Sequence, residues 1–173
     1  MPDPDGEIME RVRDGDDDAV TELVERYQNE LVGFFYHHCW DQGLSEELAQ
    51  TVFVKVYQAR RRWQATAKVR TYLYRIAHNA WIDHLRRQRR HVSLDAEIGD
   101  SGLRLVDTLA TEQARDDAPD EGAGATRQRV QEAIEKLPEG QKAVFVLANS
   151  HDMKYQQIAE VLDIPEGTVK SRM

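Results

Sequence analysis

Apolar residues recur along most of this chain at steps of three and four positions, which is the spacing of one face of an α-helix. No segment shows the period-two alternation typical of a half-buried β-strand. The pattern therefore predicts an all-α fold. The expected inward positions are Leu23, Tyr27, Leu31, Phe34 and Phe35; Leu48, Val52, Val56 and Ala59; Val69, Leu73, Ile76 and Ala80; Val130, Ile134 and Leu137; and Val144 and Leu147.

Polar residues indicate where the helices begin. Asp17 or Asp18 is expected to cap the first helix, and Ser45 the second, because short polar side chains bind the free backbone amides of a first turn. A third helix is predicted over residues 68–90, and helical signals return at Arg127.

The helical pattern disappears between residues 91 and 126, where glycine, proline and acidic residues are scattered. Such a composition buries too little apolar surface to offset the entropy of ordering, so it predicts a flexible acidic linker. The expected organisation is an acidic N-terminal segment (1–18), a helical domain (19–90), the linker (91–126) and a second helical domain (127–173).

Charge is strongly segregated along the chain. There are 23 Lys and Arg residues against 31 Asp and Glu, a net charge of -8. Residues 54–90, however, contain eleven basic residues and one acidic residue. Electrostatic fields decay over about 8–10 Å in physiological salt, so this block governs binding more than the total does. The third helix is therefore expected to bind nucleic acid.

The third helix also carries aromatic residues among its arginines. Arg75, Asn79 and Arg86 lie on one side, and Tyr74 and Trp81 are expected to be exposed beside them. Arginines that follow a phosphate backbone, with aromatic rings that stack on unpaired bases, suit a single strand. The alternative is an amphipathic helix with ordinary surface arginines, and the charge segregation favours the first interpretation.

Residues 155–172 have the pattern of a helix-turn-helix. Tyr155, Ile158, Ala159 and Leu162 would face inward, and Asp163 would hold the turn, because Asp adopts the left-handed conformation more readily than most residues. The second helix of this motif enters the major groove of DNA.

Two separated motifs carry a family resemblance. SEELAQTVFVKVY (45–57), followed by VRTYLYRIAHNAWIDHLRR (69–87), resembles region two of bacterial sigma factors of the extracytoplasmic-function (ECF) group of the sigma-70 family. YQQIAEVLDIPEGTVKSR (155–172) resembles their region four. The resemblance implies a transcription initiation factor that binds core RNA polymerase, recognises and melts the start-proximal (−10) promoter element with region two, and binds the distal (−35) element with region four.

The resemblance also implies a role for individual residues. Docking on the clamp coiled coil of the polymerase is implied for Glu46, Glu47, Leu48, Gln50, Phe53 and Tyr57. Contacts to the start-proximal element are implied for Trp63, Arg70, Arg75, His78, Asn79, Trp81, His84, Arg86 and Arg87, with Asn79 handling a flipped base. Contacts to the distal element are implied for Tyr155, Gln156, Glu166, Gly167, Thr168, Lys170, Ser171 and Arg172. The alternative interpretation of Phe53 and Tyr57 is that they are core residues.

The chain departs from the family pattern at three places. Thr51 stands where members often have an acid, and residues 63–67 replace a loop that is usually rich in Phe and contains Gly. The recognition helix of the family continues with basic residues, whereas this sequence stops at Met173. Either region four is truncated in this sequence or the protein is naturally short. In both cases we expect weakened binding to the distal element.

Other functions are weighed against this one. Cys39 is the single cysteine, which excludes an internal disulfide, and no spacing typical of zinc ligands, bound cofactors or catalytic motifs is present. We expect no enzyme activity, no cofactor, no membrane insertion and a cytoplasmic protein. Implied partners are the polymerase clamp and flap, promoter DNA and an anti-sigma factor. The rival interpretations are a free-standing helix-turn-helix regulator and a protein-interaction module.

Overall fold

The computed structural model of the protein describes residues 3–98 and 121–173. These residues form helices, which confirms the predicted all-α fold. Each helix of these two ranges falls short of the length and apolar character needed to cross a membrane. A 3-10 turn (Arg60–Arg62) and a π-helical turn (Val146–Ser150) accompany the helices. The helices are α1 (Gly6–Asp14), α2 (Asp17–Cys39), α3 (Gln42–Ala59), α4 (Val69–Ile98), α5 (Glu121–Glu135), α6 (Glu139–Phe145), α7 (Tyr155–Leu162) and α8 (Glu166–Arg172).

The described chain forms two compact units. One contains the residues up to His84 together with Leu137–Met173, and the other spans Leu85–Lys136. In the second unit Ile134 is buried, as predicted, but Val130 is 50% exposed, so its predicted inward position is wrong.

Two of the helices begin at aspartates that lie earlier in the sequence than the predicted caps. Asp16 caps α2, and its carboxylate accepts hydrogen bonds of 3.0 and 3.3 Å from two first-turn amides. Asp17 and Asp18 therefore lie inside the helix. Asp41 caps α3 in the same way at 2.9 Å. Ser45, the predicted cap, is buried within α3 and donates its hydroxyl to the Asp41 carbonyl. The prediction was wrong because the earlier carboxylate already satisfies the free amides.

The first unit is held together by the predicted apolar stripes of α2, α3 and α4. Burying each large side chain contributes about 1.5–3 kcal/mol to folding. Ala59 and Ile76 are only partly buried. The confirmed inward residues are Leu23, Tyr27, Leu31, Phe34, Phe35, Leu48, Val52, Val56, Val69, Leu73 and Ala80.

Helix α1 lies in the segment for which the sequence predicted only acidity. Ile8, Met9 and Val12 are buried, at the spacing of one helical face. Upstream of this helix, the carboxylate of Asp3 accepts a 2.7 Å hydrogen bond from the backbone amide of Val69. The N-terminal segment thus satisfies one of the free amides at the start of α4.

Part of the predicted linker is helical. Helix α4 continues to Ile98, and α5 begins at Glu121, so residues 91–98 and 121–126 are helical where the sequence predicted no helix. The sequence contains no Gly or Pro between residues 69 and 98, which lets the helix continue past the predicted end. Residues 99–120 of the predicted linker lie outside the described residues.

The helix-turn-helix forms as predicted. Asp163 adopts the left-handed conformation between α7 and α8, with φ 54° and ψ 48°. Ile158 and Val169 are fully buried between the two helices. Val161 is buried as well, whereas Tyr155 and Leu162 are only partly buried. The helix predicted over residues 139–149 is α6 followed by the π-helical turn, and both Val144 and Leu147 are buried as expected.

Candidate nucleic-acid interface

The outward side of α4 carries the predicted cationic row. Arg75, Asn79 and Arg86 are exposed and follow one another at steps of four and seven residues, which places them on one side of the helix. Arg87 and Arg90 are exposed nearby. This side of α4 combines positive charge with one amide that both donates and accepts hydrogen bonds.

The aromatic residues of this region are buried, so the prediction that they are exposed is wrong. Tyr74 is fully buried, Trp81 is 4% exposed, and Trp63, in the loop before α4, is 5% exposed. Tyr74, Ala77 and Trp81 form a second apolar stripe on α4, separate from the stripe through Leu73. Helix α4 therefore has two buried faces, and only its remaining side is open to solvent.

Two of the predicted strand-binding arginines contact residues 139–172, which we call the C-terminal helices. Arg70 donates to the Glu30 carboxylate at 3.0 Å and to the carbonyl of His151 at 2.7 Å. Arg75 donates twice to the Glu160 carbonyl in the last turn of α7, at 3.1 and 2.7 Å. Carbonyls at the end of a helix lack an intrahelical partner and carry partial negative charge, so they suit a guanidinium.

Trp81 is enclosed by polar and aromatic neighbours. Its indole nitrogen donates to the Glu139 carboxylate at 3.1 Å. His84 stacks on the ring at a centroid distance of 5.6 Å, and His38 lies 5.3 Å away. His78, also predicted to contact DNA, is partly buried, and this burial lowers its pKa. Trp81 and His38 are each 4% exposed, whereas His78 and His84 are partly exposed.

Two buried histidines lie at the contact between α2, α4 and the C-terminal helices. Burial, together with the nearby Lys142 charge, lowers the pKa of His38 to about 3. Burial also lowers the pKa of His151 to about 4. Both rings are therefore neutral at pH 7.

Charged and titratable groups surround His151. Its Nδ1 lies 2.8 Å from the Tyr74 hydroxyl, which also lies 3.1 Å from the Glu30 carboxylate. The neighbouring His37 and Arg70 charges oppose protonation, whereas Glu30 favours it. Among residues 3–98 and 121–173, no group of three or more His, Cys, Asp or Glu residues could hold a metal ion.

Helix α3 presents most of the predicted docking residues on one face. Glu46, Gln50 and Tyr57 are exposed and Phe53 is partly exposed, at steps of four, three and four residues. Arg60 lies over the Tyr57 ring at 3.9 Å, a cation–π contact that fixes the ring.

Two residues of α3 differ from expectation. Leu48 is 7% exposed and belongs to the core, so it is not available for docking as predicted. Val54 was missed, although it is 54% exposed and lies close to Tyr57 and Glu47, which is also exposed. An apolar residue outside the inward stripe was the signal for it.

The outward side of α8 is open to solvent. Lys170 pairs with Glu166 at 3.1 Å, and both side chains are well exposed. Among the other predicted reader residues, Gly167, Ser171 and Gln156 are exposed, and Tyr155, Thr168 and Arg172 are partly exposed.

Comparison with known proteins gives these surfaces a context. The chain matches the family models of Sigma-70 region 2 over residues 23–91 and Sigma-70 region 4 over residues 127–173. The ECF RNA polymerase sigma factor SigW of Bacillus subtilis is 31% identical over 168 residues, covering 95% of this chain and 88% of the relative. The chain belongs to the ECF sigma factors of the sigma-70 family. This sigma factor is a non-enzymatic initiation factor that directs RNA polymerase to promoters, as the resemblance implied.

Other relatives agree with this assignment. The ECF RNA polymerase sigma-E factor of Escherichia coli is 31% identical over 172 residues, covering 96% of this sigma factor and 86% of the relative. The structure of CnrH in complex with the cytosolic domain of CnrY superposes with a TM-score of 0.68 at 20% identity, covering 96% of this chain and 87% of that chain. RpoE in complex with the anti-sigma factor NepR from Bartonella quintana gives 0.67 at 18% identity, covering 88% of each. These two structures share the fold.

The buried histidines predict a pH-dependent stability. Because their pKa values are lowered in the folded protein, the stability they contribute is complete above about pH 6.5 and is lost as the pH falls toward about 4. In the unfolded chain these two rings are exposed, and they bind protons as the pH falls from about 7.5 to 5.5. For each ring, this protonation lowers the free energy of unfolding by about 1 kcal/mol. The free energy of unfolding of His151→Gln, measured in urea, should therefore fall by about 1 kcal/mol less over this range than that of the parent protein.

The matched control is His91→Gln, which replaces an exposed histidine of α4. This variant should keep the parental pH dependence. An identical loss in His151→Gln and the parent would contradict the role given to the buried ring.

Proposed function

We propose that this sigma factor divides promoter recognition between α4 and α8, while α3 docks on the polymerase. The observation that carries the proposal is the exposure of Asn79 within the arginine row of α4. A side-chain amide in the middle of a row of phosphate-binding groups is placed to read a base edge on a strand that the arginines hold.

The outward side of α4 suits a single DNA strand. We propose that Asn79 contacts an unstacked base of the start-proximal element, since an amide pairs with base edges that duplex stacking conceals. Arg86 and Arg87 would bind phosphates. The other proposed contacts are Trp63, Arg70, Arg75, His78, Trp81 and His84, which face other groups of the protein in this structure.

Helix α3 suits a basic helical partner. We propose that its exposed carboxylates, Glu46 and Glu47, with Gln50, contact the clamp coiled coil of the polymerase. Phe53 and Tyr57 would supply the apolar anchors that account for most binding energy at such interfaces. Val54 extends this apolar area and is added to the docking face.

Helix α8 suits duplex DNA. A recognition helix places its early residues against base edges and its flanking residues against phosphates. We propose that Glu166 and Thr168 contact bases of the distal element and that Lys170, Ser171 and Arg172 contact its backbone. The remaining proposed DNA contacts of region four are Tyr155, Gln156 and Gly167, at the edge of the groove. We also propose that region four contacts the polymerase flap.

The proposal also includes regulation by a protein partner. CnrH and RpoE, which share the fold, were solved with the cytosolic domain of CnrY and with the anti-sigma factor NepR. We propose that an anti-sigma factor controls this chain as well, and that both act in the cytoplasm, where the polymerase works. The domains would be region two (19–90), the linker (91–126) and region four (127–173), after the N-terminal segment (1–18).

The direct test is transcription from a pool of genomic DNA fragments of the source bacterium. Core polymerase with the chain should initiate at a limited set of sites that core polymerase alone ignores. A gel shift with the chain alone separates the rival functions. Strong, specific duplex binding without polymerase, with no effect on initiation, would instead identify a free-standing regulator.

Substitutions should separate opening from docking. Asn79→Ala should lower promoter opening about tenfold, since a good base contact contributes about 1–3 kcal/mol, while core affinity stays unchanged. The double substitution Gln50→Ala and Phe53→Ala should lower core affinity instead. Permanganate footprinting measures opening, and fluorescence anisotropy measures core binding. Gln88→Ala and Gln28→Ala are controls, because these exposed amides, on α4 and α2, lie off the proposed contact faces. Equal losses in both assays would remove the assignment.

A further inference from the structure

The carboxylate of Asp3 binds the start of α4, which lies 66 positions further along the chain. Its Oδ2 accepts a 2.7 Å hydrogen bond from the backbone amide of Val69, the first residue of that helix. Its Oδ1 accepts a longer one, of 3.4 Å, from the amide of Asp5, directly before α1. One partly buried carboxylate thus joins the beginnings of α1 and α4.

Helix α4 needs this contact because the residue directly before it cannot act as a cap. That residue is Lys68, and a lysine ammonium donates hydrogen bonds but accepts none. Short polar side chains that accept hydrogen bonds, such as Asp, are the preferred caps. Asp3 therefore supplies to α4 the kind of contact that Asp16 and Asp41 supply to α2 and α3. Its negative charge also suits the positive end of the helix.

The contact lies at one end of the loop that leads into α4. Trp63 is 5% exposed and Val69 is fully buried, so both ends of this loop are fixed in the core. Residues 64–66 between them are exposed. Because Asp3 binds the second fixed end, it helps to set where the loop stops and where the helix begins. Trp63 and Arg70, on either side of the loop, are both assigned to the start-proximal strand by the proposed function.

We propose that Asp3 is a positioning residue for promoter recognition. Its carboxylate holds the loop and the first turn of α4 in the arrangement that reads the start-proximal element, and it acts through the Val69 amide. The inference rests on the proposed function of α4. It adds the N-terminal segment, for which the sequence predicted only acidity, to the elements on which promoter recognition depends.

The N-terminal segment is built to keep this carboxylate in place. The amide of Gly6 donates a 2.9 Å hydrogen bond to the carbonyl of Asp3, which closes a turn. Pro4 occupies the second position of this turn, where its fixed backbone angle is favoured. The Asp5 carboxylate accepts a hydrogen bond from the Tyr27 hydroxyl on α2. Because the backbone is already ordered by these contacts, little further entropy is lost when the carboxylate binds α4.

A purely electrostatic role is the alternative for this carboxylate. Asp3 lines a cleft of about 740 Å³ beside the loop, together with Glu7 and Glu10 of α1. Acidic groups repel phosphate, so removal of a shielding charge would strengthen DNA binding. Removal of a positioning contact has the opposite effect on recognition. The 2.7 Å bond to a backbone amide favours positioning, because a shield requires no such partner.

The base preference of the holoenzyme tests the proposal. A promoter found in the genomic pool is randomised in its start-proximal element and transcribed with core polymerase and each variant. Asp3→Ala should lower opening about fivefold, the usual effect of losing a cap, and should flatten the base preference in this element. Asp3→Asn keeps the acceptor without the charge, so it should retain both. Preference in the distal element should stay parental in both variants.

The matched control is Glu10→Gln, which removes a charge from the same cleft and leaves the cap intact. It should behave like the parent. If Glu10→Gln, Asp3→Asn and Asp3→Ala all increase opening alike, the carboxylate acts only through its charge, and the positioning role is overturned.

A local cap should replace the remote one. Lys68→Ser places a preferred capping residue directly before α4. Added to Asp3→Ala, it should restore the base preference to that of Lys68→Ser alone. Thermal unfolding followed by circular dichroism checks that each variant is folded at the assay temperature. A double variant with the flattened preference of Asp3→Ala would contradict the capping explanation.

Hydrogen exchange of the Val69 amide in the free chain reports the contact itself. The amide should exchange about fivefold faster in Asp3→Ala than in the parent and in Asp3→Asn. Unchanged exchange in Asp3→Ala, or faster exchange with a parental base preference, would overturn the positioning role and leave the proposed function intact. A parent holoenzyme without base preference in the start-proximal element would overturn the proposed function and, with it, this inference.

Discussion

Double burial of α4 links the packing of this sigma factor to its activity. One stripe, through Leu73, packs inside region two, and the other, through Tyr74 and Trp81, packs toward α2 and the C-terminal helices. Burying an aromatic side chain removes about 150–250 Å² of accessible surface from water. This burial contributes at most about 4–6 kcal/mol to the free energy of folding. The second stripe is therefore costly to expose to water.

On the proposed function, the same residues of α4 serve two partners in turn. The polar groups around the stripe, such as Arg70 and Arg75, bind backbone carbonyls in this structure. Phosphates offer the same oxygen chemistry, so exchange of partners leaves few donors unsatisfied. The C-terminal helices have the advantage of being on the same chain, because tethering raises their effective concentration to the millimolar range. On the proposed function, a DNA strand would gain access when polymerase holds both partners.

The predictable features of this sigma factor are those that depend on local pattern. The inward stripes of α2 and α3 and the left-handed Asp163 follow from spacing and residue chemistry, and the exposed row through Asn79 follows from periodicity. The burial of Trp81 was missed because its partner, Glu139, lies 58 residues away, and periodicity carries no information about such a contact. Helix α1 was missed because its charged residues concealed a short stripe through Met9.

The most direct measurement is the distance between region two and the C-terminal helices in solution, by single-molecule energy transfer. Dyes at Thr21→Cys and Gln141→Cys, in the Cys39→Ser background, label exposed positions of α2 and α6. We predict a single short distance in the free chain, which lengthens when core polymerase and promoter DNA are added. A distance that stays the same in the free chain and the open complex would contradict the exchange of partners on α4.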